Sequence, residues 1–419
     1  MRSISTFAEA RNALTPFMST APVARYTLDR MRSLMDYLGN PQDRLHIVHV
    51  AGTSGKTSTS YYCAALIRAA GFSVGLTVSP HIDEINERAQ VNLKGLPEKK
   101  YCKELNLFLD LVDASTIHPS YFELLVAFAY WLFEKQHVNY AVVEVGLGGL
   151  LDGTNVISRN DKICVIADIG YDHTEILGNT LEEIATQKAG IIYPHNEVFM
   201  HIQLDEIITT IRNLAEAKEA PLTVISDSTP LLRSHPLFLA LPDFQKRNFS
   251  LAYVATASIT GPLSPEALNQ ALETVVPARM ETVQWNNKTF IMDGSHNEQK
   301  LAALVQAVRK KYKAKDIALL VAFGENKFDH LEANLKLLRT ISSHITITTF
   351  KNNQDQLRKA IDPLKIMSYA KESGFHSITI EANAAKALDL LAHTPESVVV
   401  ITGSFYLLNS VRSLILSKS

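Results

Sequence analysis

Short apolar, β-branched runs alternate with stretches of helical periodicity along most of the chain, the pattern of largely parallel sheets covered by helices. Leu45–Val50 (LHIVHV) is the first such run; a glycine-rich turn follows, then a helical stretch from Lys56 to Ala70 that Gly71 is placed to end. Ser73–Val78, Tyr140–Val145 and Ile163–Ile169 read as further strands, and Glu98–Val112 and Tyr121–Gln136 as helices. The second half restarts the alternation. Thr289–Met292, Ile317–Phe323, Ile345–Thr349 and Ser397–Ile401 read as strands, with helices at Glu298–Lys311, His330–Ile341 and Ala384–Ala392 and a last one at Tyr406–Leu416. Between the halves, Val275–Arg279 carries Pro277 and reads as a hinge, so the pattern predicts two α/β domains, 1–276 and 277–419.

Composition supports this parse and removes several alternatives. At roughly 100–200 residues per domain, 419 residues suit two or three domains. With 41 Lys+Arg against 43 Asp+Glu and a net charge of −2, no basic surplus points to nucleic acid or an anionic membrane. Hydrophobic content of 46% excludes a disordered chain. Cys63, Cys102 and Cys164 fit neither a disulfide framework nor metal-ligand spacing and read as reduced, buried thiols. The first residues lack the apolar core of a secretory signal, and the greasiest stretch, Tyr121–Phe133, is interrupted by Glu123 and too short to span a bilayer. These features predict a cytoplasmic protein.

The chemistry concentrates at strand ends. Gly52-Thr53-Ser54-Gly55-Lys56-Thr57-Ser58 follows a buried strand and opens a helix, the context in which backbone N–H groups and a helix N-terminus cradle phosphate. Lys56 would reach the β/γ-phosphates, and a hydroxyl from Thr57 or Ser58 would ligate Mg²⁺. The full GxxxxGK(S/T) pattern would need glycine where the chain has Val50. Three more polar clusters follow strands: Ser79-Pro80-His81 with Asn86-Glu87-Arg88 behind it; Glu144, then Gly146–Gly149 and Asp152–Asn155; and Asp172-His173-Thr174 with Lys188 further on. Glu144 interrupts an apolar strand, a costly place for a carboxylate unless it is paired or binds metal. Oxygen donors such as Ser79 and Glu144 suit Mg²⁺. In the second half, Asp293-Gly294-Ser295-His296-Asn297 ends a strand; Ser295 or Asn297 could cap the next helix, while Asp and His there also suit nucleotide contact. Arg279 is a candidate phosphate clamp.

Taken together, GTSGKTS, SPH with NER, SYFE (Ser120–Glu123), EVGLGGLLDGTN, DIGYDHTEILGNTLEEIATQKAGI, PARME, DGSHN and TGSFYLLNSVR resemble the folylpolyglutamate synthase/dihydrofolate synthase family of the Mur ligase superfamily, from about position 45 onward. The resemblance implies an ATP-dependent amide ligase with an N-terminal P-loop domain of the Mur ligase type and a smaller, Rossmann-like C-terminal domain. It implies that Lys56 sits on the phosphates within the loop Gly52, Thr53, Ser54, Gly55, Thr57 and Ser58, and that Ser58 supplies the metal-ligating hydroxyl. It further implies that Ser79, Glu144 and His173 hold magnesium, two ions in all, and that Lys188 is a carbamylated lysine. Asn248 falls where the family contacts adenine, and Arg279, Asp293 and His296 match its other nucleotide contacts. Leu150 departs from the usual arginine, Gly153 and Ser295 from alanine, Glu298 from proline, Phe244 from histidine, and Thr57 from glycine.

The function expected from the resemblance is addition of L-glutamate to dihydropteroate, to the terminal glutamate of reduced folates, or to both, through an acyl phosphate. The small-molecule substrates imply neither nucleic-acid nor membrane partners, and the family implies a monomer. The alternatives are a Mur-type ligase with another carboxylate substrate, or a P-loop ATPase or binding protein that has lost ligation. The changes at Leu150, Gly153 and Glu298 motivate the second.

Overall fold

The computed structural model describes residues 3–18, 27–226, 229–350 and 359–418. The chain divides into two compact units, Met1–Thr274 and Val275–Ser419, each built around its own sheet.

The sheet of the first unit contains β1 (His46–Ala51), β2 (Val74–Thr77), β3 (Gln90–Val91), β4 (Lys94–Gly95), β5 (Tyr140–Glu144), β6 (Ile163–Ile166), β7 (Glu197–His201) and β8 (Leu222–Ile225). Their order is β4-β3-β2-β5-β1-β6-β7-β8. All neighbours run parallel except the short β2-β3-β4 meander at one edge. The inner strands are buried on both faces, which is why β1, β5 and β6 read as nearly unbroken apolar runs. One core lies beneath the helices Glu98–Ala114 and Tyr121–Lys135, with Phe108, Phe128 and Phe133 among its fully buried rings. Another packs Ile184, Ile207, Ile208 and Ile211 of the helices Leu181–Ala189 and Asp205–Glu216 against Ile166 and Val198.

Strand β1 pairs with β5 on one side and β6 on the other, and the chain proceeds from it in both directions across the sheet. The crevice beyond the carboxyl end of such a strand is where open α/β sheets bind ligands. Gly52–Gly55 and the helix Lys56–Ala69 begin there.

In the second unit β9 (Glu281–Trp285), β10 (Lys288–Met292), β11 (Ile317–Val321), β12 (His344–Ile347), β13 (Ser377–Ile380) and β14 (Val398–Thr402) form a sheet of order β13-β12-β11-β14-β10-β9. Only β9 runs antiparallel. Its core joins Leu301, Leu304 and Val308 of the helix Glu298–Lys311 to Leu319, Val321, Ile345 and Val400. Among the described residues no helix is long and apolar enough to cross a membrane.

Candidate active site

The loop after β1 owes its shape to two glycines with positive φ. Gly52 has φ +150°, and a Cβ there would come within 2.8 Å of the Ala167 Cβ. Gly55, at φ +85°, precedes the first helical residue, and a Cβ on it would come within 2.4 Å of Asn248 Oδ1. Only glycine meets both demands at low cost. The close packing places the Asn248 amide directly over the loop, and Asn248 Nδ2 donates to Gln245 Oε1 at 3.3 Å.

Two lysines converge on one loop oxygen. Lys56 Nζ donates to Gly52 O at 2.9 Å, and Lys188 Nζ, from the buried side of the helix Leu181–Ala189, donates to the same oxygen at 3.0 Å. Lys56, the first residue of its helix, adds its charge to the helix N-terminus and makes a positive focus suited to an anion. Glu144 ends β5 in a buried position. Its Oε1 accepts from Thr57 Oγ1 at 2.8 Å and its Oε2 from the Ser79 N–H at 3.2 Å. Ser58 Oγ is buried and has no hydrogen-bond partner among the described residues. The Glu144 carboxylate and the Thr57 hydroxyl against it are oxygen donors of the kind Mg²⁺ uses. His173 caps the short helix Thr174–Leu177 with φ +51°, and its ring lies 3.6 Å from Glu175 Oε1.

Ser79 precedes a cis proline, and the segment beyond it is well tied. The Glu87 carboxylate accepts from the N–H groups of Ile82, Asp83 and Glu84. His81 Nδ1 accepts from Arg88 Nε at 3.1 Å, which fixes the ring proton on Nε2. Burial, then Arg88 and Arg11, hold the His81 pKa well below 6.5.

In the loop after β5, Asp152 is buried and its Oδ2 accepts from the Leu147 N–H at 2.7 Å. Its Oδ1 accepts from Thr154 Oγ1 at 2.6 Å, and that hydroxyl accepts in turn from His49 Nε2 at 2.9 Å. Burial raises the Asp152 pKa against these hydrogen bonds. Leu150 is pinned by its backbone, its N–H donating to Gln187 O at 2.7 Å, while its side chain is 40% exposed. Replacing a cation with leucine there leaves an apolar surface, not an extension of the core.

The second unit has its own cluster. The segment Pro277–Met280 takes two non-glycine residues, Ala278 and Met280, to φ of +55° and +54°, one on either side of Arg279. The Arg279 guanidinium lies 4.2 Å from the centre of the Phe405 ring, and His296 meets the same ring edge-on at 5.9 Å. Asp293 follows β10 and is buried; it accepts from the Met280 and Ser295 N–H groups, both at 2.9 Å. Burial raises its pKa, while Arg279 and the hydrogen bonds lower it. Asn297, not Ser295, caps the helix Glu298–Lys311, accepting from the Lys300 N–H. Phe405 carries no charge to mark it, and its role emerges only from the ring contacts.

Two domain families match this chain: the Mur ligase middle domain over residues 50–234 and the Mur ligase glutamate ligase domain over 278–405. Together they take in most of it. The chain is 29% identical over 414 residues to the dihydrofolate synthase/folylpolyglutamate synthase of Bacillus subtilis (strain 168), covering 92% of this chain and 94% of that protein. It is also 29% identical over 418 residues to the dihydrofolate synthetase of Saccharomyces cerevisiae, covering 91% and 95%. The chain belongs to the folylpolyglutamate synthase/dihydrofolate synthase family. It is an ATP-dependent amide-bond ligase. The family fold extends to solved structures. Mycobacterium tuberculosis folylpolyglutamate synthase complexed with ADP and AMPPCP superposes with a TM-score of 0.81 at 24% identity, covering 98% of both chains. E. coli FolC in complex with DHPP and ADP gives 0.81 at 23%, covering 99% of this chain and 98% of that one.

Proposed function

We propose that this ligase joins L-glutamate to dihydropteroate, to the terminal glutamate of a reduced folate, or to both. The observation that carries the reading is the convergence of Lys56 and Lys188 on Gly52 O of a loop whose Thr57 hydroxyl donates to the buried Glu144 carboxylate. A free carboxylate is a poor electrophile because oxide is a very poor leaving group. Transfer of the γ-phosphoryl group to the substrate carboxylate releases ADP and gives an acyl phosphate. The glutamate amine then attacks the acyl carbon, the C–O bond to phosphate breaks, and the amine loses a proton as the amide forms. Each stage brings anions together, so the protein contributes mainly positioning and charge.

The residues divide the work. The loop Gly52–Ser58 holds the phosphates; Lys56 exchanges its carbonyl partner for a phosphate oxygen and stabilises the charge that develops during transfer. Asn248 faces the base, and Arg279, Asp293 and His296 are the second unit's nucleotide contacts. Ser58, Ser79, Glu144 and His173 would hold magnesium, two ions in all. The buried Ser58 hydroxyl, without a hydrogen-bond partner among the described residues, and the buried Glu144 carboxylate fit that role. Bound magnesium supplies neutralisation of the phosphate charge. Lys188 is proposed to be carbamylated; a carbamate keeps one N–H for Gly52 O and turns a cation into an oxygen donor. Loss of activity in Lys188→Ala, restored by short-chain carboxylates, supports the carbamate; unimpaired activity removes it.

The reading places the protein in the cytoplasm as a monomer acting on small molecules, in keeping with three free, buried cysteines. The decisive test is a mass-spectrometric endpoint assay with ATP, Mg²⁺ and glutamate, dihydropteroate and tetrahydrofolate being supplied separately. Gain of one glutamyl unit on dihydropteroate alone makes it a dihydrofolate synthase, and gain on both makes it bifunctional. No gain on either overturns the proposal. Lys56→Ala should bind ADP poorly and turn over at least a hundredfold more slowly, the order expected for a lost charge-stabilising contact.

A further inference from the structure

Asp168, two residues beyond β6, holds two parts of the nucleotide site at once. Its backbone oxygen accepts from the phosphate-loop N–H groups of Thr53 at 2.8 Å and Ser54 at 3.0 Å. Its carboxylate is gripped by Arg247 on the helix Asp243–Ala255. Arg247 Nε lies 2.9 and 3.0 Å from the two carboxylate oxygens, and Nη2 lies 2.8 Å from Oδ1. The same Nη2 donates to Ile202 O at 2.6 Å, and the Arg247 carbonyl lies 2.6 Å from His201 Nε2. Arg247 is therefore anchored through its head and its backbone to the ends of β6 and β7. The next residue is Asn248, whose amide oxygen occupies the space above Gly55.

A forked guanidinium–carboxylate contact is directional in a way a point charge is not. With its Nε and Nη2 engaged by Asp168 and Ile202, Arg247 is placed to hold its neighbours in position. The Arg247 and Asp168 side chains are 31% and 27% exposed, so the pair is partly shielded from water. We infer that the Asp168–Arg247 ion pair is a positioning pair for the nucleotide. It fixes the separation between the phosphate loop and Asn248, and hence between the sites for the phosphates and the base. The inference rests on the nucleotide reading of Gly52–Ser58.

The test measures equilibrium ADP binding and steady-state kinetics on the full-length protein with Arg247→Ala, Asp168→Ala and the double variant. Either single change is expected to weaken ADP and raise the ATP KM by about tenfold, with kcat within about twofold and the glutamate KM unchanged. The double variant should be no weaker than the singles, as for two groups that act only through each other. Arg247→Lys, which keeps the charge but loses the fork, should restore only part of the affinity. If an alanine variant fails to melt cooperatively, the isosteric Asp168→Asn takes its place. Unchanged ADP affinity in the singles, additive losses in the double, or a fall in kcat at constant KM would each overturn the inference. Lys56→Ala separates it from the underlying reading. Wild-type ADP affinity in that variant removes the nucleotide site itself, whereas loss there with no effect at 168 and 247 removes only the clamp.

Discussion

Two glycines with similar backbone angles have opposite surroundings, which makes them a matched pair for testing the phosphate loop. Gly55 (φ +85°) has Asn248 Oδ1 within 2.4 Å of its absent Cβ, while Gly71 (φ +94°), just past the helix Lys56–Ala69, has nothing within 4 Å among the described residues. Alanine at either site carries the left-handed penalty of about 1–2 kcal/mol. Only at 55 must the Asn248 amide also be displaced. Gly71→Ala should therefore lower the melting temperature by a few degrees and leave ADP affinity intact. Gly55→Ala should weaken ADP binding at least tenfold, and equal ADP affinity in the two variants would show that the loop does not need Asn248 where it lies. The loop itself was legible because all its parts are adjacent in sequence. Glu144 was legible as well, because a carboxylate in an apolar strand needs a reason, and the structure supplies Thr57 Oγ1 and the Ser79 N–H as its partners. Asp168 and Arg247 were not. They stand 79 positions apart, and each reads alone as an ordinary surface charge.

At the scale of elements, the stretch SYFE has a structural reason alongside its family resemblance. Ser120 caps the helix Tyr121–Lys135, and the Glu123 carboxylate returns to the Ser120 N–H at 2.7 Å and the Ser120 hydroxyl at 2.8 Å. Arg30 Nε reaches the same Glu123 oxygen at 2.7 Å. Ser120→Ala removes a cap worth about 1 kcal/mol, so the melting temperature should fall by a few degrees while ATP and glutamate KM stay unchanged. A shift in either KM would give SYFE a part in binding. The inner strands β1, β5, β6, β11 and β14 were readable because burial on both faces demands continuous apolar runs. The edges were harder. In β9 buried or half-buried positions alternate with exposed ones, and β3 and β4 are two residues each, too short to leave a period. The helix Asp243–Ala255 escaped for a different reason: its buried positions include Gln245, Asn248 and Ser250. A helix that turns polar groups inward does not show an apolar stripe.

For the whole molecule, the buried titratable groups are unevenly divided, and this sets how the two units respond to acid. His49, His81 and His201, whose pKa values burial depresses below 6.5, all lie in the first unit. Lys162 adds to the effect at His49, and Arg88 and Arg11 at His81. At His201 the carbonyls of Arg247 and Ile225 work against burial, since both can accept from a protonated ring. A histidine whose folded pKa is depressed binds its proton in the unfolded chain first. Its effect is absent above the unfolded value near 6.5, and stability is lost as pH falls below it towards the folded value. Asp152 in the first unit and Asp293 in the second have raised values, so protonation in the folded state favours folding, but in the window just above the usual aspartate value of 3.8. Between pH 7 and 5.5 the histidines therefore decide the sign. Amide exchange, corrected for its intrinsic pH dependence, should show protection in 3–274 falling over that range while protection in 275–418 holds. His49→Gln, which can still donate to Thr154, should reduce the slope in the first unit. Equal loss in both units, or a slope untouched by His49→Gln, would place the acid sensitivity elsewhere.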